Sequence, residues 1–254
     1  MEDIEKRKKI KKRNIVLISV LTVILTVVII FVQFTSLGYR MTVPFRSFTE
    51  EDSNLYVHKK FTGDIEESVK TVNAARKRIT EYFGEIESNP MIIICDDEST
   101  IAKLGGDHDT ATAVIFKAYS YIVISTEFLN VDVVAHELTH AEVHTKIFKG
   151  KFWFQSLVPI WFDEGIALQN DYREKYNEDA WKEVTNNGEN VVDLNDINTS
   201  AKFYAGETEE RRYRYIISKH EVNKWINLNG RNALLDLLEK INQGEDFNNL
   251  YFAK

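Results

Sequence analysis

The residues best suited to chemistry lie in Val133-Val134-Ala135-His136-Glu137-Leu138-Thr139-His140. His136 and His140 are four residues apart, so on a helix their imidazoles project from one face, one turn apart. That separation lets two neutral ring nitrogens bind one Zn²⁺ from a single rigid element. Glu137 follows the first histidine and reaches a metal-bound water without being a ligand, the position of a general base for hydrolysis. Val133, Val134, Ala135 and Leu138 fit a buried helix, unbroken by Gly or Pro through Ala141. A buried helix whose histidines merely share this spacing reads the same way, and the short motif alone does not separate the two.

A catalytic zinc takes three protein ligands and a water, so one ligand is still missing. The metzincin pattern would supply a third His six residues after His140, beyond a Gly, but Lys146 and Val143 occupy those positions. Instead Pro159-Ile160-Trp161-Phe162-Asp163-Glu164-Gly165-Ile166-Ala167 follows, with Glu164 lying 24 residues past His140. Together, HExxH and Trp-x-x-Glu-Gly-x-Ala resemble the gluzincins, zinc peptidases that include thermolysin and the aminopeptidase N type enzymes. The resemblance implies that Glu164, the Glu before the Gly, is the third zinc ligand, rather than its neighbour Asp163. The 23 residues between His140 and Glu164 make a somewhat longer connection than in aminopeptidase N. The motifs are specific across 133–141 and 159–167, and the resemblance extends in outline over about 50–254.

Three further roles follow only from that resemblance. A gluzincin uses a Tyr or His from its later helical part to stabilise the oxyanion. The run Tyr213-Arg214-Tyr215-Ile216-Ile217-Ser218 is similar to the Tyr-x-x-Ser helix start of small members, which points to Tyr215, with Tyr213 and Tyr204 as alternatives. A carboxylate often orients a ligating His through its other ring nitrogen. In thermolysin-like members it comes four residues after the Glu, but Leu168 cannot serve. Asp171, seven residues on and so on the same helix face, is the candidate, although a surface position is equally compatible. Finally, 119–125 would be the edge strand that binds substrate backbone, with an ordinary inner strand as the other reading. No Gly-x-Met-x-Asn amine-binding motif is present, which favours an endopeptidase acting on a peptide or protein substrate. Arg211, Arg212 and Arg214 either bind a substrate carboxylate or pair with Glu207, Glu209 and Glu210.

The elements that must position these residues begin with a segment outside the globule. Residues 15–34 form an uncharged run of 20, long enough to cross a bilayer core as a helix. Lys6 to Arg13 holds seven basic residues in eight, so the positive-inside rule puts residues 1–14 in the cytosol as a basic tail and the body outside. A cleaved signal peptide, with Ser36-Leu37-Gly38 as its cut, is the competing reading, and a single-pass signal-anchor the preferred one. The first 14 residues carry seven Lys/Arg and three Asp/Glu; of the chain's 32 basic and 39 acidic residues, 25 and 36 then remain, giving the rest −11. So acidic a body does not suit nucleic acid as a partner; the lipid bilayer is met through 15–34.

Residues 35–53 read as a linker and 54–254 as one catalytic domain. Its pattern is α+β and zincin-like: strand 54–57, helix 66–83 with Asp64 as N-cap and Gly84 as stop, and strand 91–95. A short helix at 99–104, strands at 113–116 and 119–124, the HExxH helix and the glutamate helix follow. Helices at 179–184, 214–228 and 232–241 form the C-terminal part. Cys95, the single cysteine, reads as core filler. Asp107-His108-Asp109 is a polar loop with a minor claim to a cation, and His144 reads as packing or surface rather than a ligand, being one helical turn too far along. A zinc-containing binding or regulatory module without peptidase activity is the alternative function, opposed by the intact Glu137, since structural zinc sites need no base.

Overall fold

A computed structural model describes residues 2–107, 110–116, 119–148 and 157–253. The apolar run lies within α1 (Glu2–Phe34), whose part Ile10–Phe34 reaches a mean hydropathy of 3.3 over an 18-residue window and is long and apolar enough to cross a membrane. The stretch read as a linker is more ordered than expected. It contains α2 (Ser36–Met41), a 3-10 turn at Val43–Phe45 and β1 (Phe48–Asp52), which pairs antiparallel with β2 (Leu55–His58). Arg40 and Val43, both buried, tie this stretch to the body.

Helix α3 (Ile65–Phe83) starts where Asp64 accepts a hydrogen bond from the Glu67 amide, and stops at Gly84, whose φ of +80° suits a residue without Cβ. Strand β3 (Met91–Ile94), α4 (Glu98–Leu104), β4 (Thr112–Phe116) and β5 (Tyr119–Ile124) follow. Next come the histidine helix α5 (Val131–Ile147) and the glutamate helix α6 (Ile160–Ala167). The C-terminal part holds α7 (Glu178–Thr185), α8 (Ser200–Phe203), α9 (Thr208–Asn229), α10 (Arg231–Gln243) and α11 (Phe247–Tyr251). The protein is thus a mixed α/β fold, with helix predominating over one small sheet.

The sheet runs β1-β2-β3-β5-β4, with β2, β3 and β5 parallel and the two outer strands antiparallel to their neighbours. Period-two alternation sends Leu55, Val57, Ile92, Ile94, Ile122 and Ile124 to the face covered by α3 and α5. Tyr56, Ile93, Tyr121 and Val123 go to the other face, against Ile101 and Leu104 of α4. Cys95 is fully buried there, and burial pushes its thiol up to about 11, as suits core filler. The assignment of 119–125 as an edge is corrected: β5 lies between β3 and β4, and the edge on that side is β4. Both strands of this hairpin have strand-forming sequences, so alternation could not tell which one lay outermost.

Candidate metal centre

Helix α5 is buried along nearly all of its length, from Val133 to Val143, so its histidines sit in the interior rather than on a wet face. Asn130 caps it by accepting from the Val133 amide. Helix α6 is anchored by Trp161 and Phe162, whose rings meet Tyr251 at 5.3 Å and Phe247 at 4.7 Å across α11. Its Gly165 is where α9 crosses: a Cβ built there would lie 2.5 Å from the Ser218 carbonyl oxygen and 2.5 Å from Val222 Cγ2. Only glycine permits that approach, and the approach brings Glu164 and Tyr215 of α9 to one cleft. Asn170, fully buried just past α6, donates to Thr139 Oγ1 at 3.0 Å and so ties this segment to the histidine helix.

Three donor atoms converge. His136 Nε2 and His140 Nε2 are 3.2 Å apart, and Glu164 Oε2 lies 3.3 Å from the first and 3.4 Å from the second. Donors held at about 2.0–2.1 Å from one ion at tetrahedral angles stand about 3.3 Å from each other, which the three separations match. Among the described residues the buried Glu164 Oε2 makes no hydrogen bond, so a cation between the three would satisfy an otherwise orphaned oxygen. The donor set of two imidazoles and one carboxylate therefore fits a divalent metal ion.

The charges around these atoms reinforce the arrangement. Burial alone would lower the pKa of His140, but the Asp163 and Glu164 carboxylates outweigh it and raise it well above the ordinary histidine value. Burial would raise Glu164; His140 and His136 instead bring it down to about 2. In the metal-free protein the site therefore holds a proton on His140 that a metal must displace.

Asp163 has a larger part than its place beside Glu164 suggests. Its Oδ2 lies 3.1 Å from His140 Nδ1 and 3.1 Å from His144 Nε2, so one buried carboxylate orients a candidate ligand and braces the next turn of α5. The signal was present in the helical stripe of His140 and His144 and in the Asp beside Glu164. Asp171, fully buried, does stand behind the other histidine, but at 3.7 Å from His136 Nδ1, beyond hydrogen-bond range. Nor is it on the glutamate helix: α6 ends at Ala167, and Asp171 reaches back from the turn beyond. Its carboxylate is engaged by Arg173, whose Nε lies 2.9 and 3.0 Å from the two oxygens.

The cleft over these residues has a volume of about 1130 Å³ and is lined by Glu137, Tyr204, Tyr215 and residues 110–113 leading into β4. Tyr215 packs against Phe203 at 5.2 Å, and its hydroxyl makes no hydrogen bond among the described residues. Burial, with the charges of Glu164 and Glu137 among the further causes, pushes its phenol far above the usual value, so it stays a proton donor. Tyr204 donates to Glu164 Oε1, leaving Oε2 to face the imidazoles. Tyr213 is engaged elsewhere, with its hydroxyl donating to the Asn190 carbonyl at 2.7 Å. Of the three arginines, Arg211 and Arg212 line the cleft, Arg212 while pairing with Glu209 at 3.2 Å, and Arg214 donates to the Phe203 carbonyl at 2.9 Å. His108 and Asp109 of the polar loop lie outside the described residues. Neither a scan of the chain against protein-family models nor a search of curated proteins finds a match.

Proposed function

We propose that this chain is a membrane-anchored zinc metallopeptidase of the gluzincin kind, with residues 15–34 spanning the bilayer and the body on the outer side. The observation that carries the reading is the triangle of His136, His140 and Glu164 donor atoms, 3.2 to 3.4 Å on a side, at the floor of an open cleft. Zinc bound by these residues supplies a Lewis acid and an acidified water. Glu137, next to His136 and lining the same cleft, takes the proton of the attacking water and passes it to the leaving amine. Tyr215, held protonated, donates to the oxygen that gains negative charge. Asp163 keeps His140 in the tautomer whose Nε2 is free to ligate. β4, the outermost strand on its side of the sheet among the described residues, offers a backbone edge for an extended peptide, and the cleft reaches Thr112 and Ala113 at its start.

Glu137→Gln tests this reading. The full chain in detergent should keep its metal and its melting temperature while hydrolysis of a quenched-fluorescent peptide mixture falls to background. A wild-type chain that holds zinc yet cleaves nothing, with the variant indistinguishable from it, would favour the binding or regulatory module.

A further inference from the structure

We propose that a second cavity, beside the end of α1, binds the phosphates of anionic lipid headgroups and seats the body on the membrane surface. The inference rests on α1 being a membrane span. The cavity, of about 850 Å³, is lined by Arg46, Lys59, Lys60, Lys103 and His58, with Asp97 its one carboxylate. Four cations to one carboxylate is a local reversal in a body whose net charge is strongly negative. Lys60 approaches Asp97 at 3.6 Å, whereas Lys59 and Lys103 have no carboxylate partner among the described residues. His58 is buried behind the lysines, its ring 4.9 Å from that of Phe48.

Position identifies the occupant. The Arg46 guanidinium donates to the Val32 carbonyl at 3.0 Å. Val32 is two residues inside the end of α1, about 3 Å along the helix axis. A span ending at Phe34 therefore puts this cavity at headgroup depth. The lining includes Phe45, an apolar side chain 88% exposed that a soluble surface would not favour, and Met41, at the end of α2, is 49% exposed. Aromatic and aliphatic tips beside lysines are the composition of an interfacial contact, with the tips entering the acyl boundary and the ammonium groups on phosphates. Arg46 is itself held by Thr42 at 2.7 Å and by the Tyr39 ring at 3.8 Å, so one cation of the cavity is fixed in place.

The test compares the full chain in nanodiscs of zwitterionic phosphatidylcholine with discs in which about a third of the lipid is phosphatidylglycerol, read by hydrogen exchange. Amides of 58–60 and 97–103 should exchange roughly tenfold more slowly in the anionic discs. The difference should disappear in Lys59→Ala/Lys60→Ala/Lys103→Ala, which changes only exposed side chains and should melt as the wild type does. Equal exchange in both discs, with 15–34 protected, would overturn the lipid site and leave the span intact. Inorganic phosphate reproducing the protection in zwitterionic discs would make this an ion site and overturn the membrane contact. Free exchange across 15–34 would remove the span and the proposal with it.

Discussion

Asp163→Asn separates the two carboxylates that stand behind the candidate ligands. Asp163 Oδ2 accepts from His140 Nδ1 at 3.1 Å, whereas Asp171 lies 3.7 Å from His136 Nδ1 and is already engaged by Arg173. The amide keeps the shape and one acceptor oxygen but removes the charge that supports His140. A hydrogen bond to a charged group is worth about 1.5–3 kcal/mol against about 1 kcal/mol for a neutral one. The difference, about 0.5–2 kcal/mol, corresponds to roughly two- to thirtyfold weaker zinc binding, and residues that orient metal ligands typically lose about 10–100-fold on mutation. We therefore expect about a tenfold loss for Asp163→Asn. Asp171→Asn should change zinc affinity less than about threefold, and should cost folding stability instead because Arg173 loses its counter-charge. Competition with a chromophoric chelator measures the first quantity, and thermal melting of the metal-free chain the second. Zinc affinity that falls more in Asp171→Asn than in Asp163→Asn would refute the assignment of Asp163 as the residue that positions His140.

Tyr215→Phe should lower kcat by about 10²–10³ with zinc affinity unchanged, whereas Tyr204→Phe, which frees Glu164 Oε1, should weaken zinc; steady-state kinetics beside chelator competition distinguishes them. Gly165→Ala should lower stability by about 1–3 kcal/mol, seen as a fall in Tm, because the added methyl meets the α9 backbone at 2.5 Å. Since His140 in the metal-free protein has a raised pKa, its stabilising contribution is complete below about pH 6.5 and is lost as pH rises through the raised value. Zinc must displace that proton, so apparent zinc affinity should fall by about tenfold per pH unit below the His140 pKa, and chelator competition across that range measures it. For Glu164 the sign is opposite: its contribution is present above about pH 4.3 and lost as pH falls toward about 2, as acid unfolding of the metal-free chain would record.

Much of the fold was legible because local signals agreed with the tertiary ones. Asp64 and Gly84 bound α3 as cap and stop, and the β-branched run at 92–94 became the central strand β3. The spacing of His136 and His140 on one helix also delivered two converging nitrogens. Sheet order was not legible, because which strand of the β4–β5 hairpin faces outward depends on what packs beside β3. The ordered stretch 36–52 was missed because its short elements have weak patterns of their own and are held by contacts far along the chain, such as Arg40 Nη1 on the Leu104 carbonyl. Asp163 was passed over because sequence spacing places it one residue from Glu164, pointing elsewhere on an ideal helix. Only the crossing of α5 and α6 turns it toward His140. Tyr204 was only an alternative because its contact with Glu164 spans 40 residues and carries no periodic signal.

The central claim is that His136, His140 and Glu164 hold one zinc ion. Elemental analysis of the full chain in detergent, purified with zinc and dialysed against a mild chelator, tests it when wild type and Glu164→Ala are measured side by side. About one zinc per wild-type chain and a large loss in Glu164→Ala are expected. A wild-type chain without zinc, or zinc retained equally without the Glu164 carboxylate, would contradict it.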